Sequence, residues 1–141
     1  LTLDRAPAGL HYDEALNALD ALRIGHDGYW PAFLRDNFGR EPLMVYIMAA
    51  SLRLFGNHIW AVRFPAALAW GATLPALYWL LHEMYPSDSR GRTVRWLIAA
   101  PLFMTSLWFG ITAHYAIRTS WFVLMELLFV AALWRVWNTG G

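Results

Sequence analysis

The chain has 141 residues, of which 58% are hydrophobic and 15% charged; an ordinary soluble domain is about 45–50% apolar and about 25% charged. Nine tryptophans and eight phenylalanines add to the imbalance, and a water-soluble core of this size cannot hide so much apolar surface, so a membrane is the first expectation. The absence of cysteine excludes a disulfide framework, a thiolate metal site and a cysteine nucleophile, the absence of lysine excludes a Schiff base, and a formal charge of +1 gives no reason to expect nucleic acid. The first residue is Leu1, the first forty residues hold no signal-peptide-like apolar run, and Asn138-Thr139-Gly140-Gly141 follows directly on an apolar segment. These features read as a piece of a longer membrane protein.

The first predicted element is an amphipathic helix from Tyr12 to Ile24. Leu16, Leu19 and Leu22 recur at helical spacing, and Gly25 supplies a stop signal. Asp13, Asn17 and Asp20 fall on the opposite face and read as its polar side. Asp13 and Glu14 occupy the first turn, where unpaired N–H groups and the helix dipole favour negative charge. A carboxylate there suits a base that accepts a proton from a hydroxyl, or a ligand for a hard cation. Helix capping is the plainer reading of the same residues, because aspartate is a common N-cap.

Glycines and proline make Gly25-His26-Asp27-Gly28-Tyr29-Trp30-Pro31 a loop, with Trp30 the one tryptophan suited to a sugar platform. His11, Asp13, Glu14, His26 and Asp27 offer ligands that a divalent cation accepts, so such a cation is the candidate cofactor. Their spacing matches no strong metal signature, and solvated loop residues are the plainer reading. Pro42 to Phe55 is apolar, carries Arg53 and ends before Gly56, as a short helix lying near the membrane surface would. Phe64–Leu81 and Trp96–Ala113 are each free of charge, and Thr119–Trp134 is interrupted only by Glu126. Eighteen residues make roughly 27 Å of helix, close to the ~30 Å hydrocarbon thickness. Three spans are therefore expected, at about 60–82, 96–113 and 119–137, within a segment 59–141 that follows an exterior segment 1–58. Glu126 within a span is a functional candidate or the partner of a basic group elsewhere. Arg53 and Arg63 are expected to snorkel to the interface.

Arginine sets the orientation. The loop 83–95 carries Arg90, Arg92 and Arg95 against Glu83 and Asp88, whereas residues 1–41 hold four arginines against seven acids, a net of −3. The positive-inside rule makes 83–95 cytoplasmic and the amino-terminal segment exterior.

The order of motifs then has a resemblance. Tyr12-Asp13-Glu14 at a helix start is followed by Arg40-Glu41-Pro42-Leu43, Leu54-Phe55-Gly56 and Trp60-Ala61-Val62-Arg63-Phe64-Pro65. This resembles the family 39 glycosyltransferases of the GT-C type, which include the protein O-mannosyltransferases and the aminoarabinose transferases of lipid A. The match covers nearly the whole chain and about the amino-terminal third of a typical member. It implies an all-α integral membrane protein, a GT-C-like helical bundle with three transmembrane helices here plus exterior interfacial helices. It implies an inverting transfer of sugar from a polyprenyl-phosphate-linked donor to a protein, lipid or glycan acceptor on the exterior face of the cell membrane. By resemblance Asp13 acts on the acceptor with Glu14 as its neighbour, and Arg40 matches a lysine of the aminoarabinose transferases. The segment Ala113-His114-Tyr115-Ala116-Ile117-Arg118-Thr119 resembles one with an early arginine and a late aspartate, where this chain has His114 and Thr119. Arg118 supplies a neighbouring positive charge, so Arg40, His114 and Arg118 are the expected donor-binding residues. A transporter segment with Glu126 and Arg118 lining a polar path, and a catalytically silent scaffold, are the competing expectations; acids clustered outside the spans favour the enzyme over the transporter.

Overall fold

A computed structural model describes residues 3–5, 8–28, 30–37, 39–105, 115–116 and 119–140. Its regular structure is helical: α1 (Tyr12–Asp27), α2 (Leu43–Phe55), α3 (Ile59–Met84), α4 (Ser89–Met104) and α5 (Thr119–Thr139), with one 3₁₀ turn at Arg35–Asn37 between α1 and α2.

Two expectations for α1 are corrected. The helix passes through Gly25 and ends at Asp27, because Gly28 rather than Gly25 takes the left-handed conformation, with φ of 63°. The buried face is also different. Glu14, Asn17, Ala18, Ala21 and Ile24 are buried, while Leu19 is 55% exposed. The polar residues turn inward because partners distant in sequence satisfy them there, as described below. Small Ala18 and Ala21 let α1 lie against α2, whose Met44, Val45, Met48, Ala49 and Leu52 form the other half of that core. The start of α3 closes it with Ala61, Val62 and Ala66.

The central element is α3, which packs against α2, α4 and α5. Val62, Ala66, Ala69, Thr73 and Ala76 are buried at helical spacing along it. A stripe of small residues lets backbones approach closely, as in helices packed within membranes, and α5 meets α3 with Ser120, Leu124 and Ala131. On α4, Trp96 donates its indole N–H to the carbonyl of Leu74, just before Pro75 of α3. At the far end Asn138 of α5 donates to the carbonyl of Glu83 (2.7 Å). The carboxyl ends of α3 and α5 therefore lie together.

Among the described residues, two helices, α3 and α5, are long and apolar enough to cross a membrane. Only 33% and 17% of their most apolar windows is buried, the reverse of a core helix in a soluble protein. Phe122, Phe129, Leu133, Val136 and Trp137 of α5 all stand exposed. The expected span 96–113 is corrected in its described part: α4 begins earlier, at Ser89, and ends at Met104 with a turn at Thr105, and residues 106–113 lie outside the described ones.

Candidate functional site

The amino terminus of α1 gathers most of the predicted site residues. The cap is His11, not an aspartate: its imidazole Nδ1 accepts from the Asp13 N–H (3.4 Å), and the Glu14 carboxylate reaches back to the His11 N–H (2.9 Å). This capping box uses Glu14 and leaves the Asp13 side chain out of the cap. The two adjacent acids therefore have different surroundings.

Glu14 has no exposed surface. Its Oε1 accepts from Arg63 Nε (3.1 Å) and from the Ala116 N–H (2.8 Å), and its Oε2 from Arg63 Nη2 (3.2 Å) and from His11. Arg63 is equally buried, and donates further to the carbonyls of Leu3 and Gly9. The expectation that Arg63 snorkels to an interface is thus overturned. It stands in the second turn of α3, where a planar five-donor guanidinium matches a carboxylate and two carbonyls at once. A charge near the start of an apolar helix was the available signal, since such groups pair inside a bundle. Arg53 is exposed.

Asp13 is partly open. Its side chain is 36% exposed, and Oδ1 lies 3.3 Å from Nη2 and 3.4 Å from Nη1 of Arg40. The loop before α2 holds Arg40 in place. Leu34 and Arg40 pair across it (Leu34 N–H to Arg40 carbonyl, 3.0 Å), and Gly39 takes φ of 67° to close the turn. Asn37, 1% exposed, fixes the loop to α1 by donating to Asn17 Oδ1 (3.0 Å) and Asp20 Oδ2 (3.1 Å). Asn17 in turn donates to the Ala116 carbonyl (3.2 Å). Ala116 is therefore bonded to α1 through both its N–H and its C=O, and the Tyr115 ring meets His11 edge-on at 5.7 Å. Asn17 and Asn37 carry this arrangement, and no local sequence signal marks them.

Immediately after Arg40 a groove of about 420 Å³ opens between the start of α2 and α5, lined by Glu41, Leu43, Met44, Trp121, Phe122 and Met125. No protein family matches this chain in a scan of family models, and none of the curated proteins or solved structures matches it either. The chemistry must therefore be read from these groups: a carboxylate open to a second molecule, a guanidinium beside it, and an apolar groove starting at the next residue.

The remaining predicted residues are placed elsewhere or not described. His114 and Arg118 lie outside the described residues. The candidate cation set is divided, since His26 and Asp27 end α1 while His11 begins it, roughly 22 Å away at 1.5 Å per residue. Among the described residues, no three histidine or acidic side chains are close enough to hold a metal ion. Glu126 is exposed on α5. Trp30 is 68% exposed and rests on Tyr46, with ring centroids 5.1 Å apart; the Tyr46 hydroxyl donates to the Pro31 carbonyl (2.6 Å).

Proposed function

We propose that this chain belongs to an integral membrane glycosyltransferase of the GT-C kind, which moves a sugar from a polyprenyl-phosphate-linked donor to an acceptor hydroxyl on the exterior face. The observation that carries the proposal is the partly exposed Asp13–Arg40 pair, with an apolar groove whose lining begins at Glu41, the residue after Arg40. In this reading Asp13 takes the proton of the acceptor hydroxyl as its oxygen attacks the anomeric carbon. The bond from that carbon to the phosphate oxygen breaks, and the phosphate leaves with its electron pair, inverting the anomeric centre. A general base supplies typically 10²–10⁴ in rate. Arg40 stabilises the negative charge that develops on the leaving phosphate. An ion pair this exposed contributes about 0–1 kcal/mol, so a phosphate draws Arg40 away from Asp13 at small cost. The groove accepts the first isoprene units, and Glu14 positions Asp13 by fixing the first turn of α1 against Arg63 and Ala116.

The test is transfer of labelled sugar from polyprenyl phosphate by the membrane-embedded protein at equal abundance. Asp13→Asn is expected to lower turnover about 10²–10⁴-fold with little loss of stability, because Asp13 caps nothing. Asp27→Asn, on an exposed residue at the other end of α1, is the control and keeps full activity. Wild-type turnover in Asp13→Asn would reduce the pair to a surface contact and leave the silent scaffold as the better reading.

A further inference from the structure

The opposite end of the bundle holds a second arrangement that the proposed transfer does not use. Between α3 and α4, Tyr85 organises two guanidinium groups. Its carbonyl accepts from Arg92 Nη1 (3.2 Å), and its ring lies under the guanidinium of Arg95, 4.1 Å from the centroid. Arg92 is 9% exposed, its guanidinium carbon stands 5.9 Å from the Tyr78 ring, and its Nε is buried with no hydrogen-bond partner among the described residues. The neighbouring Asp88 carboxylate accepts from the Gly91 N–H (2.8 Å) and from Arg95 (3.0 Å). A buried guanidinium beside an acid already engaged with other donors is a standing site for an anion.

The surroundings say which anion. Arg95, Ile98 and Leu102 fall at i, i+3 and i+7 on one face of α4, and the two apolar members are 58% and 67% exposed. A cation heads an exposed apolar line roughly 10 Å long at 1.5 Å per residue. That is the outline of a phospholipid, with phosphate at the arginines and an acyl chain along the helix. Arg135 adds another arginine on the end of α5 that Asn138 ties to Glu83, and basic clusters beside a membrane helix attract anionic headgroups. We infer that Arg92 and Arg95 bind the phosphate of an anionic phospholipid whose acyl chain lies along Ile98 and Leu102.

The test is native mass spectrometry of the detergent-solubilised protein titrated with phosphatidylglycerol and with phosphatidylcholine. Wild type is expected to retain phosphatidylglycerol in preference, and Arg92→Gln/Arg95→Gln is expected to weaken it about thirtyfold. Arg53→Gln, in the last turn of α2 beside the start of α3, removes a charge at the other end of the bundle and keeps the affinity. Leu102→Gln weakens retention while the arginines are intact. Equal retention of both lipids by wild type, or unchanged affinity in the double variant, would overturn the inference. So would displacement of the lipid by an equal concentration of inorganic phosphate, since the acyl contacts would then contribute nothing. Sugar transfer in the same variants is a separate measurement, so either result stands without the other.

Discussion

At the scale of the residue, Asp13 and Glu14 are neighbours with opposite fates. Glu14 faces inward because its position in the first turn points it at Arg63 and Ala116, and Asp13, one residue earlier, points at Arg40 and open space. Removing one partner of a buried ion pair leaves an uncompensated charge and typically costs about 3–5 kcal/mol. Glu14→Ala and Arg63→Ala are each expected to lose that much, measured by unfolding in mixed detergent micelles. Their effects should fall well short of adding, because both remove the same interaction. Additive losses would mean that the two side chains act separately. The sequence shows both acids and shows them alike. What divides them is a guanidinium 49 residues away and an amide 102 residues away, and no local pattern encodes either.

At the scale of the element, α4 carries the clearest dependence on pH. The Gly91 amide, then the Arg95 guanidinium, hold the Asp88 carboxyl below its ordinary value of 3.8. A folded-state value below the unfolded one gives stability that is present above about pH 4 and is lost as pH falls through the lowered value. The first turn of α4 is therefore expected to fray under strongly acidic conditions, read as faster hydrogen exchange at the Gly91 amide relative to the middle of the helix. Asp88→Asn keeps a cap of similar strength and should make that exchange insensitive to carboxylate titration. If the two proteins exchange alike across the acid range, Asp88 is not the group that titrates. The positions of three helices were legible from apolar runs: α2 begins one residue after the expected Pro42, and α3 and α5 extend the runs 60–82 and 119–137 by a residue or two, whereas α4 (Ser89–Met104) does not follow the expected 96–113. The inward face of α1 was not legible. Asp13, Asn17 and Asp20 follow the spacing of a solvated stripe, and only the loop residue Asn37 and the carbonyl of Ala116 turn that stripe into a contact surface.

At the scale of the whole molecule, the two ends of α3 have opposite character. The buried Glu14–Arg63 pair and the acidic segment surround its beginning, and Arg90, Arg92, Arg95 and Arg135 gather at its end. From Arg63 to Glu83 the helix rises roughly 30 Å, about the hydrocarbon thickness of a bilayer. The arginine end is expected to face the cytoplasm and the acidic end the exterior. Because the chain has no native cysteine, single cysteines at Asp27 and Ser89, both exposed, report the orientation directly. A membrane-impermeant thiol reagent added to intact cells should label the first and spare the second. The opposite labelling would place Asp13 on the wrong side for an exterior acceptor.

The bonds that converge on Glu14 also impose an order in time. Its ligands come from residue 63 and residue 116 as well as from its own helix, so during synthesis the carboxylate waits until α3 has been made, and waits again for the segment that leads into α5. Closing loops that long is slow because their entropy is lost before any contact is gained. Helix α1, although made before these partners, thus settles only after them. A chain halted before residue 115 would leave Glu14 without the Ala116 amide and hold Asp13 at the edge of an unfinished frame.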